Sequence, residues 1–247
     1  MKRIEFIGVA GTGKSSIITL VDFDSSLCVK YDEMRNFLIE RQIKNPDRWY
    51  LKALAKFGNE RACSVVSRYV IKKKKTSFLD SYHALERLTI SRFPNLKPSN
   101  IKSNAFFKHF FWLLQAEEAR VEHLPVLDEG LLGAVENDAN TIKELSQSLL
   151  GLVHVDTDAH TLRTSLLGRM KEGNKKGPKN LPSLPENEAV DILEKALEKN
   201  RRKARLTETF GVPTLTVNYH KEPRRTVNRV EEFISTVAHK HTIRSIY

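Results

Sequence analysis

Short apolar runs alternate with longer amphipathic stretches along the chain. Ile4 to Gly8 reads as a first buried strand, and Leu27 to Tyr31 as a second, after a turn at Asp24-Ser25-Ser26. Leu124 to Leu127 is a third, closed by Asp128-Glu129-Gly130. Leu152 to Val155 is a fourth, closed by Asp156, and Pro213 to Val217 is a fifth, introduced by Gly211. Phe78-Leu79 reads as a further short apolar segment ending in Asp80. Between these runs the apolar residues recur at helical spacing: Ala62, Val65, Val66, Tyr69 and Val70; Val190, Leu193, Ala196 and Leu197; Val227, Val230, Phe233, Ile234 and Val237. Ser16 to Val21 opens a helix directly after the first strand. Phe106 to Leu114 starts another that should run to about His123, its aromatics read as core. Strands that alternate with helices predict an α/β domain with a mostly parallel sheet covered on both faces. Ligands of such sheets bind at the carboxyl ends of the strands, where the polar closing residues lie. No internal repeat interrupts the alternation.

One stretch departs from it. Gly168 to Pro185 gathers Gly173, Gly177, Pro178, Pro182 and Pro185 with Arg169, Lys171, Lys175, Lys176 and Lys179, and reads as a mobile basic loop. Ser183-Leu184-Pro185-Glu186 then has the form of a capping box opening the next helix.

The most specific chemistry sits at the first strand's end. Gly8-Val9-Ala10-Gly11-Thr12-Gly13-Lys14-Ser15 fits G-x-x-x-x-G-K-[ST], and it falls where that motif belongs, between a strand and a helix that begins near Ser16. The glycines let successive backbone N–H groups turn into one concavity and cradle a phosphate. The helix N-terminus adds partial positive charge there. Lys14 supplies a point charge for the terminal phosphates, and the Ser15 hydroxyl is a ligand for magnesium. A phosphate loop alone only binds. Phosphoryl transfer also needs the metal held and an acceptor oxygen oriented. Asp128, at the end of the third strand, stands where a carboxylate can hold magnesium directly or through water, and Glu129 adjoins it. Asp32 and Glu33 follow the second strand and project toward the same cleft if that strand lies beside the first; a carboxylate there can take a proton from an acceptor hydroxyl. Arg169, opening the basic loop, is placed to neutralise charge on a transferred phosphoryl group.

Composition narrows the class further. The chain has 247 residues, 40% of them hydrophobic, which suits one large α/β domain or a domain with a lid insertion. Cys28 and Cys63 make neither a disulfide framework nor a metal site, so a reducing compartment is expected. No apolar run approaches membrane-spanning length. Glu5 interrupts the apolar start after Lys2-Arg3, which argues against a signal peptide, and a cytoplasmic protein is the expectation. The net charge is +11, with eleven Lys/Arg against six Asp/Glu between Arg169 and Arg205, and a second cluster at Lys72 to Lys75. A basic balance favours polyanionic partners such as nucleotides or nucleic acid.

The order of these parts resembles the P-loop kinases of the thymidylate kinase and deoxynucleoside kinase group. The resemblance rests on Gly8 to Ser15, the strand-end Asp128-Glu129, the strand Leu152 to Asp156 leading through Leu162-Arg163 to Arg169, and the closing Gly211 to Asn218 with its final helix. It implies a three-layer P-loop NTPase fold, a single domain over 1–247, with a five-stranded sheet in order 2-3-1-4-5 and a basic lid at about 163–185. It implies ATP and Mg2+ as cofactors and a small-molecule acceptor as partner, with Arg163 and Arg169 as lid arginines. Gly8, Ala10, Gly11, Thr12, Gly13, Lys14, Ser15 and Ser16 would contact the nucleotide, as would Asn218, near the adenine. Ser15 and Asp128 would serve the metal. Lys14, Asp128, Arg169 and either Glu33 or Glu129 would act in catalysis. Gln115 is a candidate for pairing with a base. Family members carry Arg or Ser near the third-strand acid where this chain has Glu129 and Gly130, so the acceptor stays open between nucleoside-like, nucleotide-like and sugar-like molecules. A nucleic-acid end kinase and a regulatory ATPase are the alternatives.

Overall fold

The computed structural model describes residues 1–42, 76–171 and 180–244. The Ala62 to Val70 helical pattern, Cys63, the Lys72 to Lys75 cluster and the centre of the expected lid lie outside them. Two compact units are formed: one by Lys30–Glu122 with Met1, the other by Lys2–Val29 with His123–Tyr247.

The larger unit carries β1 (Arg3–Ile7), α1 (Lys14–Leu20), the first two residues of β2 (Cys28–Lys30), β3 (Leu124–Asp128) and β4 (Leu149–Val155). It also carries β5 (Thr214–Val217) and the helices α5 (Leu131–Ala134), α6 (Ala139–Ser146), α7 (Ala159–Lys171), α8 (Glu186–Thr209) and α9 (Pro223–Arg244). The five strands form one parallel sheet in order β2-β3-β1-β4-β5, as the resemblance implied. In register, Phe6 pairs with Asp128 on one side and with Val153 on the other, and Val155 pairs with Val217.

Strand parity explains the layers. Ile4 and Phe6 point to one face with Val126, Val153, Val155 and Val217, where Ile17 of α1, its C-cap Val21, and Val230, Ile234 and Val237 of α9 cover them. Ile7 points to the other face with Leu152, under Leu132, Ile142 and Ala204 of α5, α6 and α8. A third apolar cluster joins α7 to α8 through Leu162 and Leu166 against Leu193 and Leu197, with Leu181 between them. Four of the five strands match their expected places closely. The fourth begins earlier, at Leu149, because Leu149 and Gly151 continue the pairing with β1.

The smaller unit contains α2 (Tyr31–Gln42), α3 (Thr76–Arg92), a 3-10 turn at Pro98–Ser103 and α4 (Ala105–Glu118). Asn104 caps α4, its side-chain oxygen accepting from the N–H of Phe106 at 2.9 Å and Phe107 at 3.3 Å. Phe106, Phe107, Phe111 and Trp112 are buried, so the aromatic stretch is core.

Four local expectations are corrected. α4 stops at Glu118 rather than near His123: Arg120 enters the left-handed region (φ 53) and the Val121 N–H turns back to the Ala116 carbonyl, closing the helix. Asp80 ends no strand but lies inside α3. Ser183 makes no capping box, because Pro185 is the N-cap of α8 and the Ser183 hydroxyl is taken by the Asn180 carbonyl in a 3-10 turn. The expected basic loop also starts later than Gly168, since α7 continues to Lys171 with Gly168 facing open space.

Candidate functional site

The glycine-rich loop connects β1 to α1 at the carboxyl edge of the sheet. Gly8, Gly11 and Gly13 all have positive φ, at 152°, 99° and 100°. Gly13 shows why glycine is needed: a Cβ there would be both strained and only 2.6 Å from the Tyr219 ring. Thr12 is fully buried, and its N–H and hydroxyl both bond the Val9 carbonyl, at 3.2 and 2.9 Å. Ala10 completes the turn, half-buried, and Ser16 is half-buried in the first turn of α1.

Lys14 is only 4% exposed despite its charge. Its ammonium donates to the carbonyls of Gly8 at 2.6 Å and Val9 at 3.1 Å and stands 3.3 Å from the Glu129 carboxylate. The Ser15 hydroxyl donates to Asp128 Oδ2 at 2.8 Å. The parallel order of the strands accounts for this meeting, because β3 lies directly beside β1 and both end at the same edge. The loop and the Asp128-Glu129 turn are thus one constellation, joined through Lys14 and Ser15. Glu129 holds φ 60, a conformation uncommon for a residue with a side chain.

A buried polar network beneath the turn holds it in place, and sequence reasoning missed it. Glu5 is fully buried on the β1 face that carries Ile7. Its carboxylate pairs with Arg3 and accepts the Leu132 N–H at 2.9 Å. Arg3 also reaches the Ser148 hydroxyl and the Leu145 carbonyl. Lys203 of α8, 2% exposed, donates to the carbonyls of Val135 at 2.6 Å and Leu132 at 2.8 Å. Burial pushes the Lys203 ammonium down to about 8, with nearby Lys199 acting the same way, while Glu5 and Glu136 oppose the shift. Gly130 fits this arrangement because any side chain there would collide with the Glu5 carboxylate. The third residue of Asp-Glu-Gly therefore reflects a buried acid on the neighbouring strand. The only sequence signal was Glu5 itself, an acid in the middle of a buried run.

On the other side of the loop, β4 and β5 frame a cavity of about 460 Å3. Asp156, Arg201, Thr216, Asn218, Lys221 and Arg229 are among the residues around it. The Arg201 guanidinium donates to Asp156 Oδ2 at 2.9 Å and to the Thr157 carbonyl at 3.0 Å, and pairs with Glu194; the Asp156 bond does most to raise its pKa. Burial lowers the pKa of His154 on β4, partly offset by Asp156. Asp158 caps α7 by accepting the Thr161 N–H and hydroxyl, both at 2.8 Å, and these bonds hold its carboxyl below the ordinary range. Asn218 directly follows β5, its side-chain oxygen accepting the Lys221 N–H at 3.2 Å.

The remaining candidates divide. Leu162, Ser165 and Leu166 of α7 all contact Gly11, and Arg169 recurs on the same helical stripe, four residues after Ser165. Arg163 lies on the adjacent stripe and pairs with Glu186 at 3.5 Å. The condition set for Glu33 is not met, since β3 separates β2 from β1. Glu33 is exposed in the first turn of α2, where Asp32 pairs with Arg35 at 2.9 Å. Gln115 is buried in α4.

The residues present fit a phosphate and a hard divalent cation. A loop that only glycines can form offers its amides, beside a buried ammonium. A hydroxyl and a carboxylate lie within 2.8 Å of each other, both oxygen donors of the kind magnesium takes. Among the described residues there is no group of three or more His, Cys, Asp or Glu that could hold a metal ion. No described helix is long and apolar enough to cross a membrane. Comparison with known proteins finds no matching family model and no matching curated protein.

Proposed function

We propose that this chain is an ATP- and magnesium-dependent phosphotransferase of the P-loop kinase type, acting on a small acceptor. The observation that carries the reading is the constellation at the sheet edge. A strand–glycine loop–helix presents a buried Lys14, and Ser15 is bonded to the acid that ends the neighbouring strand.

In this reading the loop amides and Lys14 hold the β- and γ-phosphates, Lys14 exchanging the Gly8 and Val9 carbonyls for phosphate oxygens. Ser15 and Asp128 would hold magnesium, which would supply charge neutralisation on the phosphates. Glu129, already against Lys14, orients the acceptor oxygen. Arg169, on the α7 stripe that touches the loop, stabilises charge on the transferred group, with Arg163 beside it. The nucleobase occupies the cavity next to Asn218, whose size is ordinary for a small-molecule site.

The test is incubation with labelled ATP and a panel of nucleosides, nucleotides and sugars. Acceptor-dependent ADP release is expected, lost in Lys14→Ala and reduced in Glu129→Gln more than in Glu33→Gln. No acceptor-dependent release from any panel member would count against the reading. The net charge of +11 favours one further panel member, a 5′-hydroxyl oligonucleotide, whose binding would weaken steeply with salt if nucleic acid were the acceptor.

A further inference from the structure

We infer that His220 and Ser165 are positioning residues that hold the glycine-rich loop in its phosphate-receiving form. This rests on the nucleotide reading above. The Gly11 carbonyl accepts two hydrogen bonds from distant parts of the chain, from His220 Nε2 at 2.9 Å and from the Ser165 hydroxyl at 3.1 Å. A carbonyl only accepts, so the His220 ring carries a proton on Nε2.

The loop needs such a brace. Its glycines make each peptide plane easy to rotate, and an anion cradle works only when successive N–H groups converge. In a trans peptide the carbonyl of one residue and the N–H of the next point to opposite sides. Pinning the Gly11 carbonyl therefore fixes that whole peptide plane, holding the Thr12 N–H on the Val9 carbonyl and so setting the turn in which the neighbouring loop amides stand. The packing agrees with a clamp: Leu162 and Leu166 sit against Gly11, and the Tyr219 ring covers Gly13. The ordering cost is then met during folding rather than at ligand binding.

The brace also links two subsites. His220 lies in the segment between Asn218 and Lys221, both of which border the cavity. A base seated there and a triphosphate on the loop would each favour the same arrangement of residues 218–221, so that each tightens the other.

The experiment is calorimetric titration of the full chain with Mg-ATP and, separately, with inorganic tripolyphosphate. The proteins are wild type, Ser165→Ala, His220→Ala, the double variant and His220→Gln, which keeps an N–H donor at similar reach. Each alanine variant should weaken both ligands about fivefold, the worth of one neutral hydrogen bond. The double variant should be weaker than either, His220→Gln should recover most of the loss, and the thermal midpoint should stay close to wild type. If wild type binds ATP and every variant binds equally well, the positioning role is wrong. If His220→Ala and His220→Gln weaken binding equally and both lower the thermal midpoint, the residue is structural only, which also overturns the inference. Wild type that binds neither ligand overturns the nucleotide reading itself, and this inference with it.

Discussion

Replacing Glu5 by glutamine should unfold the larger unit at markedly milder conditions. The side chain is fully buried and faces two buried cations, Arg3 directly and Lys203 across the turn. Removing one partner of a buried ion pair leaves the other charged and uncompensated, at a typical cost of ~3–5 kcal/mol. Glutamine keeps an oxygen for the Leu132 N–H, and Arg3 keeps Ser148 and Leu145, so the lower end, about 3 kcal/mol, applies. For a chain of this size that is a fall of roughly 6–12 °C in midpoint. Glu5→Ala also orphans the Leu132 amide and should lose a further ~1–3 kcal/mol. Urea unfolding followed by far-UV circular dichroism reads both, with the slope checked for constancy. The combination Arg3→Met, Glu5→Gln, Lys203→Met removes every charge together while keeping an acceptor for the Leu132 amide, and should be more stable than Glu5→Gln alone. Glu5→Gln within about 1 kcal/mol of wild type, or a triple variant worse than the single, would refute the network's assigned role.

Other outcomes follow from single groups. The Lys203 ammonium titrates near 8 in the folded chain against 10.5 unfolded, so between those values the unfolded state binds more protons and stability rises with pH. The urea midpoint of wild type minus that of Lys203→Met should climb from pH 8 to 10.5; a flat difference would contradict the burial argument. Gly130→Ala pushes a methyl into the Glu5 carboxylate and should cost ~1–3 kcal/mol in the same urea assay, whereas Gly168→Ala, which meets nothing, should not destabilise. In a Cys63→Ser background, Cys28 is 4% exposed and its thiol is pushed up to about 11 by burial, so it should react with a thiol reagent at pH 8 more than about a hundredfold slower than after unfolding. Asp128→Asn should leave the fold intact and lower magnesium-dependent turnover about a hundredfold, read as ADP release across a magnesium titration.

The sheet was legible because its three central strands are buried on both faces and read as continuous apolar runs, and its half-exposed edge strands are still short apolar or β-branched runs. The loop was legible because its chemistry is local: eight consecutive residues carry it. Asp128 and Glu129 were found because a parallel sheet brings strand ends to one edge. The braces were not legible, since each joins residues far apart in sequence. Glu5 meets Leu132, Lys203 meets Val135, and His220 and Ser165 meet at Gly11. Nothing in the spacing of Tyr219-His220 announces that they cover the loop, although their position just past a strand end was a hint. Helix ends also misled, because Arg120 adopts a left-handed turn that glycine usually marks. Ser183 has the spacing of a cap while its hydroxyl serves a tighter turn.

The most direct measurement is an equilibrium titration of wild type and Lys14→Ala with Mg-ATP by calorimetry. Wild type should bind with one-to-one stoichiometry, and Lys14→Ala, which removes the buried ammonium while leaving the glycines, should bind at least about tenfold more weakly. Equal affinity in the two proteins, or no heat from either, would contradict the assignment of this loop to a nucleoside triphosphate.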